Sequence, residues 1–172
     1  LHAITIRSNA GGDIISFKYY DASEDIVLDI EMSSDIAAAA ETAFRIALKL
    51  DWLFSDYRAE SEVSLFNHSP PGQAQPASSE LIKLLSACKR LHHDTGGTFD
   101  PACGALSRLW RVTRRSGKLP AANVLASAKD ASGWHRLKID PAKGKLTRLH
   151  AGTRLDFGAI AKGYAADMML QS

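Results

Sequence analysis

Apolar positions recur along this chain with two different periods. In the first thirty residues they form short runs broken by "NAGGD" and "DASED". That pattern predicts strands over Ala3–Arg7, Asp13–Tyr19 and Asp25–Glu31, the first two joined as a hairpin. The period then changes. Across "SSDIAAAAETAFRIALKLDWLFSDY", Ile36, Ala40, Ala43, Ile46, Ala47, Leu50 and Phe54 recur at helical spacing, with Ser33 or Ser34 as the cap.

"NHSPPGQAQP", Asn67 to Pro76, is too rich in proline and small polar residues for regular structure and predicts a surface loop. The clearest helical pattern is "SSELIKLLSACKRLHHDTGG". Ser78 or Ser79 caps it, Leu81, Leu84, Leu85, Cys88 and Leu91 form its apolar stripe, and Gly96 or Gly97 ends it. A short helix follows over Ala105–Val112, and another starts at Pro120 and runs to about Ser132. "HRLKID", "KLTRLH" and "TRLDF", separated by tight turns, read as three antiparallel strands. The last helix begins at about Ala159. Strands grouped apart from helices predict an α+β fold, a mostly antiparallel sheet flanked by helices.

Composition narrows this picture little. At 172 residues the chain suits one domain with a hydrophobic core, and 45% apolar with 23% charged residues is a globular profile. A net charge of +2, with no basic run longer than Arg111–Arg115, gives no reason to expect nucleic acid as a partner. Cys88 and Cys103 make neither a disulfide framework nor a spaced metal set. No apolar run approaches the roughly 20 residues of a membrane helix. The first residue is Leu rather than Met, which suits the removal of an upstream signal or anchor.

Three stretches carry candidate chemistry. "FSDYRAESEVSLFN" crowds aromatics, carboxylates and Asn67 into one irregular segment, which either a solvated helix exit or a site explains. "TGGTFDPACGALSRLW" sets Thr98, Phe99 and Asp100 on a backbone restricted by the following proline. Those groups could grip a planar, polar-edged ligand, and turn chemistry accounts for them as well. "LDFGAIAKGYAAD" places glycines, Lys162 and the strand-end residue Asp156 where a helix begins. Such a turn offers N–H groups and a cation to an anion, though it matches neither the P-loop nor the dinucleotide fingerprint. Histidines 92 and 93 stand at a helix C-terminus, where they meet the dipole. Cys88 lies on an apolar stripe, no histidine stands at a spacing that would activate Cys103, and Trp52 and Trp134 read as packing anchors.

Taken in order, the three stretches resemble the FAD:protein FMN transferases, the ApbE-like flavin transferases. That family's pattern runs "S-x-Y" with "S-E-x-S-x-x-N", then "G-G-x-F-D-P" and a downstream Trp, then "L-D-x-G-x-I-A-K-G-Y-x-x-D". The resemblance spans residues 54–167 and implies an ApbE-like, T-fold-related domain of which 1–172 is the N-terminal part. It implies magnesium-dependent transfer of FMN from FAD to a Thr or Ser hydroxyl of an acceptor flavoprotein, releasing AMP. By motif match, Glu62, Thr98, Phe99, Asp100, Asp156 and Lys162 would contact FAD. Ala159 would be a magnesium ligand through its carbonyl oxygen, a hard donor suited to that ion.

Water in place of the acceptor hydroxyl would make the protein an FAD hydrolase yielding FMN and AMP. A non-catalytic FAD-binding relative without the metal centre is the third reading. Two departures stand out. The family's "M-G-T" turn is missing near Tyr20–Ala22, and nothing here corresponds to the family's second half with its further metal ligands. Truncation, proteolysis that leaves a companion C-terminal fragment, or a sequence that is one piece of a longer protein would each explain this, with a naturally shortened relative as the other reading. The resemblance also suggests an exported or periplasmic protein, membrane-anchored through a removed N-terminus.

Overall fold

A computed structural model of the chain describes residues 3–8, 15–20 and 34–171. The expected strand Asp25–Glu31, and Asp21 and Ala22 of the departed turn, lie outside those residues. The chain divides into two compact units, residues 1–47 with 166–172, and residues 48–165.

In the first unit, strands β1 (Ala3–Ser8) and β2 (Ile15–Tyr20) pair antiparallel, with Ala3 opposite Tyr20 and Ser8 opposite Ile15. The hairpin read from the sequence forms, the first strand running one residue further than expected and the second starting two residues later and ending one later. Helix α1, Ser34–Phe54, starts where the serines placed it.

The second unit holds the buried apolar side chains among the described residues. Helix α2 (Glu62–His68) begins at Ser61, whose hydroxyl accepts the Ser64 N–H at 3.0 Å, and Val63 and Phe66 are buried. This helix was not legible in the sequence, because seven residues offer barely two turns of period. Helix α3 (Ser79–Asp94) is capped by Ser78 as expected. Leu81, Leu84, Leu85 and Cys88 are all buried, whereas Leu91 is left 40% exposed in the last turn. Glycines 96 and 97, with φ of 59° and 83°, turn the chain where side chains would be strained.

A single 3₁₀ turn (Pro101–Cys103) leads into α4, Gly104–Ser116, which ends in left-handed Gly117. Helix α5 (Ala122–Asp130) starts two residues beyond the predicted Pro120, without a side-chain cap.

The sheet corrects two expectations. Strands β4 (Leu137–Asp140) and β5 (Lys145–Arg148) pair as expected, but the third strand beside β5 is β3, Gln75–Pro76, from the segment read as wholly irregular. The expected third strand, "TRLDF", joins no ladder among the described residues. Leu155 and Phe157 are nonetheless almost fully buried, because its backbone groups are satisfied elsewhere. Helix α6 (Ala161–Leu170) starts after a turn over residues 158–160. No described helix is long and apolar enough to cross a membrane.

Trp52 does not anchor the core: it is 50% exposed, with the Arg58 guanidinium 4.8 Å from its ring centre. Trp134 stacks on His92 at 5.7 Å.

Candidate functional site

The segment Arg154–Phe157 is where the three candidate stretches meet. Asn67, the last residue of the first stretch and 2% exposed, clamps Leu155 across 88 residues of chain. Its Nδ2 donates to the Leu155 carbonyl at 3.0 Å, and the Leu155 N–H donates to its Oδ1 at 2.7 Å. The second stretch holds the neighbouring peptides. The Asp156 N–H donates to the Pro101 carbonyl at 2.8 Å and the Gly104 N–H to the Arg154 carbonyl at 3.0 Å. Gly104 has to be glycine, since a Cβ there would stand 2.7 Å from that carbonyl oxygen. These bonds do the work of a sheet ladder.

Asp156 is thereby fixed at the mouth of the glycine turn. Its Oδ1 accepts the Gly158 N–H at 2.8 Å, and its Oδ2 accepts from Arg111 at 3.0 Å. Arg111 also donates to Asp56 at 2.5 Å, and its guanidinium lies 5.0 Å from the Tyr57 ring centre. Burial opposes the charge on Arg111, but the hydrogen bond to Asp56 and the charges of Asp56, Tyr57 and Asp156 raise its pKa above the ordinary value. This bridge from α4 to two other segments escaped the sequence reading. Asp56 and Arg111 are 55 positions apart, and no local spacing announces the pair.

Past Asp156 the backbone opens. The N–H groups of Ile160 and Ala161 both donate to the Phe157 carbonyl. Those of Lys162 and Gly163 find no carbonyl among the described residues, and the Ala159 carbonyl accepts no hydrogen bond there. Lys162 is exposed and makes no ion pair among the described residues. Two N–H groups without a carbonyl partner among the described residues, beside an exposed ammonium at a helix start, are a geometry that can cradle an anion.

The other expected site residues have structural partners. Glu62 spends both carboxylate oxygens on Ser78, on its N–H and its hydroxyl, each at 2.6 Å. It ties the start of α2 to the start of α3. Asp100 accepts the Ala102 N–H at 2.8 Å with Oδ1 and the Trp134 N–H at 2.7 Å with Oδ2. His92 donates from Nδ1 to the Phe99 carbonyl at 2.9 Å, with Asp100 Oδ2 3.7 Å from the same nitrogen. Phe99 is half-buried and Thr98 exposed, its hydroxyl without a hydrogen bond among the described residues.

The cysteines are poorly suited to nucleophilic chemistry. Burial pushes the Cys88 thiol up to about 12 and raises that of Cys103 as well. A cleft of about 510 Å³ between α3 and β4, lined by Leu85, Lys89, Trp134, Leu137, Ile139 and Leu149 among others, includes none of the expected site residues.

Magnesium can be tested against the donors present. No group of three His, Cys, Asp or Glu side chains assembles among the described residues. Asp156 is already engaged on both oxygens, so these residues supply the Ala159 carbonyl and little else. Such a set does not make a magnesium site by itself.

Comparison with known proteins shows which family this chain resembles throughout. Residues 12–172 match the ApbE family. An FAD:protein FMN transferase of Chlamydia muridarum is 34% identical over 120 residues, 70% of this chain and 38% of the relative. One from Salmonella typhimurium is 29% identical over 140 residues, 77% of this chain and 40% of the relative. The apo structure of the Pseudomonas stutzeri flavinyl transferase ApbE superposes with a TM-score of 0.73 at 24% identity, covering 99% of this chain and 52% of that one. The Vibrio cholerae flavin transferase ApbE gives 0.72 at 19% identity, again over 52% of its length. The chain thus spans about half the length, or less, of the proteins it matches, and at these identities the superpositions speak for the fold. With the match running through nearly all of its residues, the chain belongs to the ApbE family.

Proposed function

We propose that this chain is the FAD-binding portion of an FAD:protein FMN transferase. The observation that carries the reading is the meeting of the three stretches at Leu155–Asp156, which presents the Gly158–Gly163 turn with the Lys162 and Gly163 amides and the Lys162 ammonium free among the described residues. That turn would hold a phosphate of FAD. In the transfer, the hydroxyl oxygen of an acceptor Thr or Ser forms a bond to the flavin-side phosphorus, and the bond from that phosphorus to the AMP phosphate breaks. Positioning of the diphosphate and neutralisation of its charge are what such a reaction needs from a protein. Lys162 supplies charge, and the Asn67 clamp with the Arg111 bridge supplies rigidity.

Thr98 and Phe99 are the side chains of the second stretch left open to a flavin, and Asp100 braces the turn behind them. Magnesium dependence is part of the proposal. The Ala159 carbonyl would be the ligand given by this segment, with the rest from phosphate, water and protein oxygens beyond it. An exported or periplasmic location is likewise proposed, from the resemblance alone.

The test is incubation of the natural full-length protein with FAD, magnesium and a candidate acceptor, followed by flavin fluorescence on a denaturing gel. Covalent fluorescence on the acceptor is the expected result. Free FMN and AMP without labelling would replace the transferase with a hydrolase, and neither product would overturn the enzyme reading. In the same protein Lys162→Ala should weaken FAD binding by roughly tenfold or more, the size of a charge-assisted phosphate contact, with melting unchanged. Equal affinity for variant and parent would remove the cradle.

A further inference from the structure

Next to the cradle lies positive charge that the surrounding carboxylates do not neutralise. Gly104, Arg108 and Arg111 occupy positions i, i+4 and i+7 of α4 and so share one helix face. Gly104 sets that face against the extended segment through its bond to the Arg154 carbonyl. Along that segment Arg154 and Asp156 flank buried Leu155 and project to one side of the chain. Arg111 takes Asp156, and Asp56 with it. Arg108, one turn nearer Gly104, stands toward Arg154 and is exposed, with no ion pair or hydrogen bond among the described residues.

Arg154 itself is half-buried, and His68 is the one side chain its guanidinium reaches among the described residues, Nε2 lying 3.4 Å away. The His68 Nδ1 donates to the Ser64 carbonyl at 2.7 Å, and the ring brings Arg154 no negative charge. Arg148 shows the contrast. It is 6% exposed and spends its N–H groups on the carbonyls of Ser69, Ala151 and Thr153. Arg154 has no such set. Burial, then repulsion from Arg108 and Arg148, lower its pKa, and the one carboxylate that opposes this, Asp56, is already held by Arg111. Beside Arg108 and Arg154 the two nearby carboxylates, Asp56 and Asp156, are both held by Arg111.

We propose that Arg154 and Arg108 form a second anion site, adjoining the Lys162 turn, that binds the phosphate group of a nucleotide. Two guanidinium forks from different elements suit a tetrahedral dianion with several terminal oxygens better than a single planar carboxylate. The site needs no metal. It rests on the flavin-transfer reading only for the nucleotide's identity, AMP, whose phosphate becomes a free dianion when it leaves.

The experiment is calorimetric titration of AMP into the metal-free natural full-length protein, with inorganic phosphate as competitor, for the parent, Arg108→Gln and Arg154→Gln. Saturable AMP binding that phosphate competes away is expected, and each substitution should weaken it by about tenfold or more. Arg108→Gln alters an exposed side chain and should melt with the parent, so its result stands even where Arg154→Gln folds poorly. AMP affinity within about twofold of the parent in Arg108→Gln, or no saturable AMP binding by the parent, overturns the site. Loss of AMP binding in the variants of a protein that labels no acceptor would keep the site and discard the transferase. Acceptor labelling with AMP binding insensitive to both arginines would do the reverse.

Discussion

Replacing Asn67 by alanine should unfasten the segment on which the whole site is built. The side chain is 2% exposed and makes two hydrogen bonds to the backbone of Leu155, itself 1% exposed. Asn67→Ala removes both and leaves a buried N–H and a buried C=O unpaired. At about 1–3 kcal/mol for each orphaned group, and with some relief from water entering the space, the loss should be about 3 kcal/mol. For a domain of this size that corresponds to a fall in Tm of roughly 6–12 °C.

Asn67→Asp sharpens the test. Its carboxylate can still accept from the Leu155 N–H, but its second oxygen then faces the Leu155 carbonyl with no proton between them. Protonation restores a donor, so the carboxyl's pKa is raised in the folded state. The stability of this variant relative to the parent is therefore retained at acid pH and lost as pH rises through that raised value. Thermal unfolding by circular dichroism at pH 4.5 and pH 7.5 measures both effects. An Asn67→Ala protein that melts within about 2 °C of the parent, or an Asn67→Asp protein whose deficit ignores pH, would refute the clamp.

Asp100→Asn keeps one acceptor and loses the other, so it should cost about 1–2 kcal/mol through the Ala102 or Trp134 amide. Unchanged denaturant stability would show that the carboxylate does not hold the turn. Hydrogen bonding to Lys49 lowers the Glu80 carboxyl to about 2, so this pair's contribution is full above about 4.5 and fades as pH falls toward 2. Lys49 is 61% exposed. Lys49→Met should therefore cost no more than about 1 kcal/mol at neutral pH, with the difference vanishing in acid, as denaturant titration at the two pH values would record. With its thiol up to about 12 and its side chain fully buried, Cys88 should resist a disulfide reagent at pH 8 in the native protein and react at once in denaturant. Fast native labelling of Cys88, mapped by mass spectrometry, would contradict its place in the core.

The sequence by itself determined what depends on near neighbours. The period of α3 and its Ser78 cap, the β1–β2 hairpin, the β4–β5 hairpin and the turn before α6 are local choices, written within ten or twenty residues. The order of three motif stretches was enough to reach the family. Tertiary structure decided what depends on distant partners. "TRLDF" alternates like a strand, yet its backbone is claimed by Asn67, Pro101 and Gly104 before a ladder can form, while Gln75–Pro76 takes the place beside β5. Glu62 and Asp100 carry the composition of a binding site, yet they spend their oxygens on Ser78, Ala102 and Trp134. Arg111 read as part of a basic stretch and became the bridge between Asp56 and Asp156. A carboxylate or an amide buried by folding must find a partner wherever the chain brings one within reach, and that reach is measured through space rather than along the sequence.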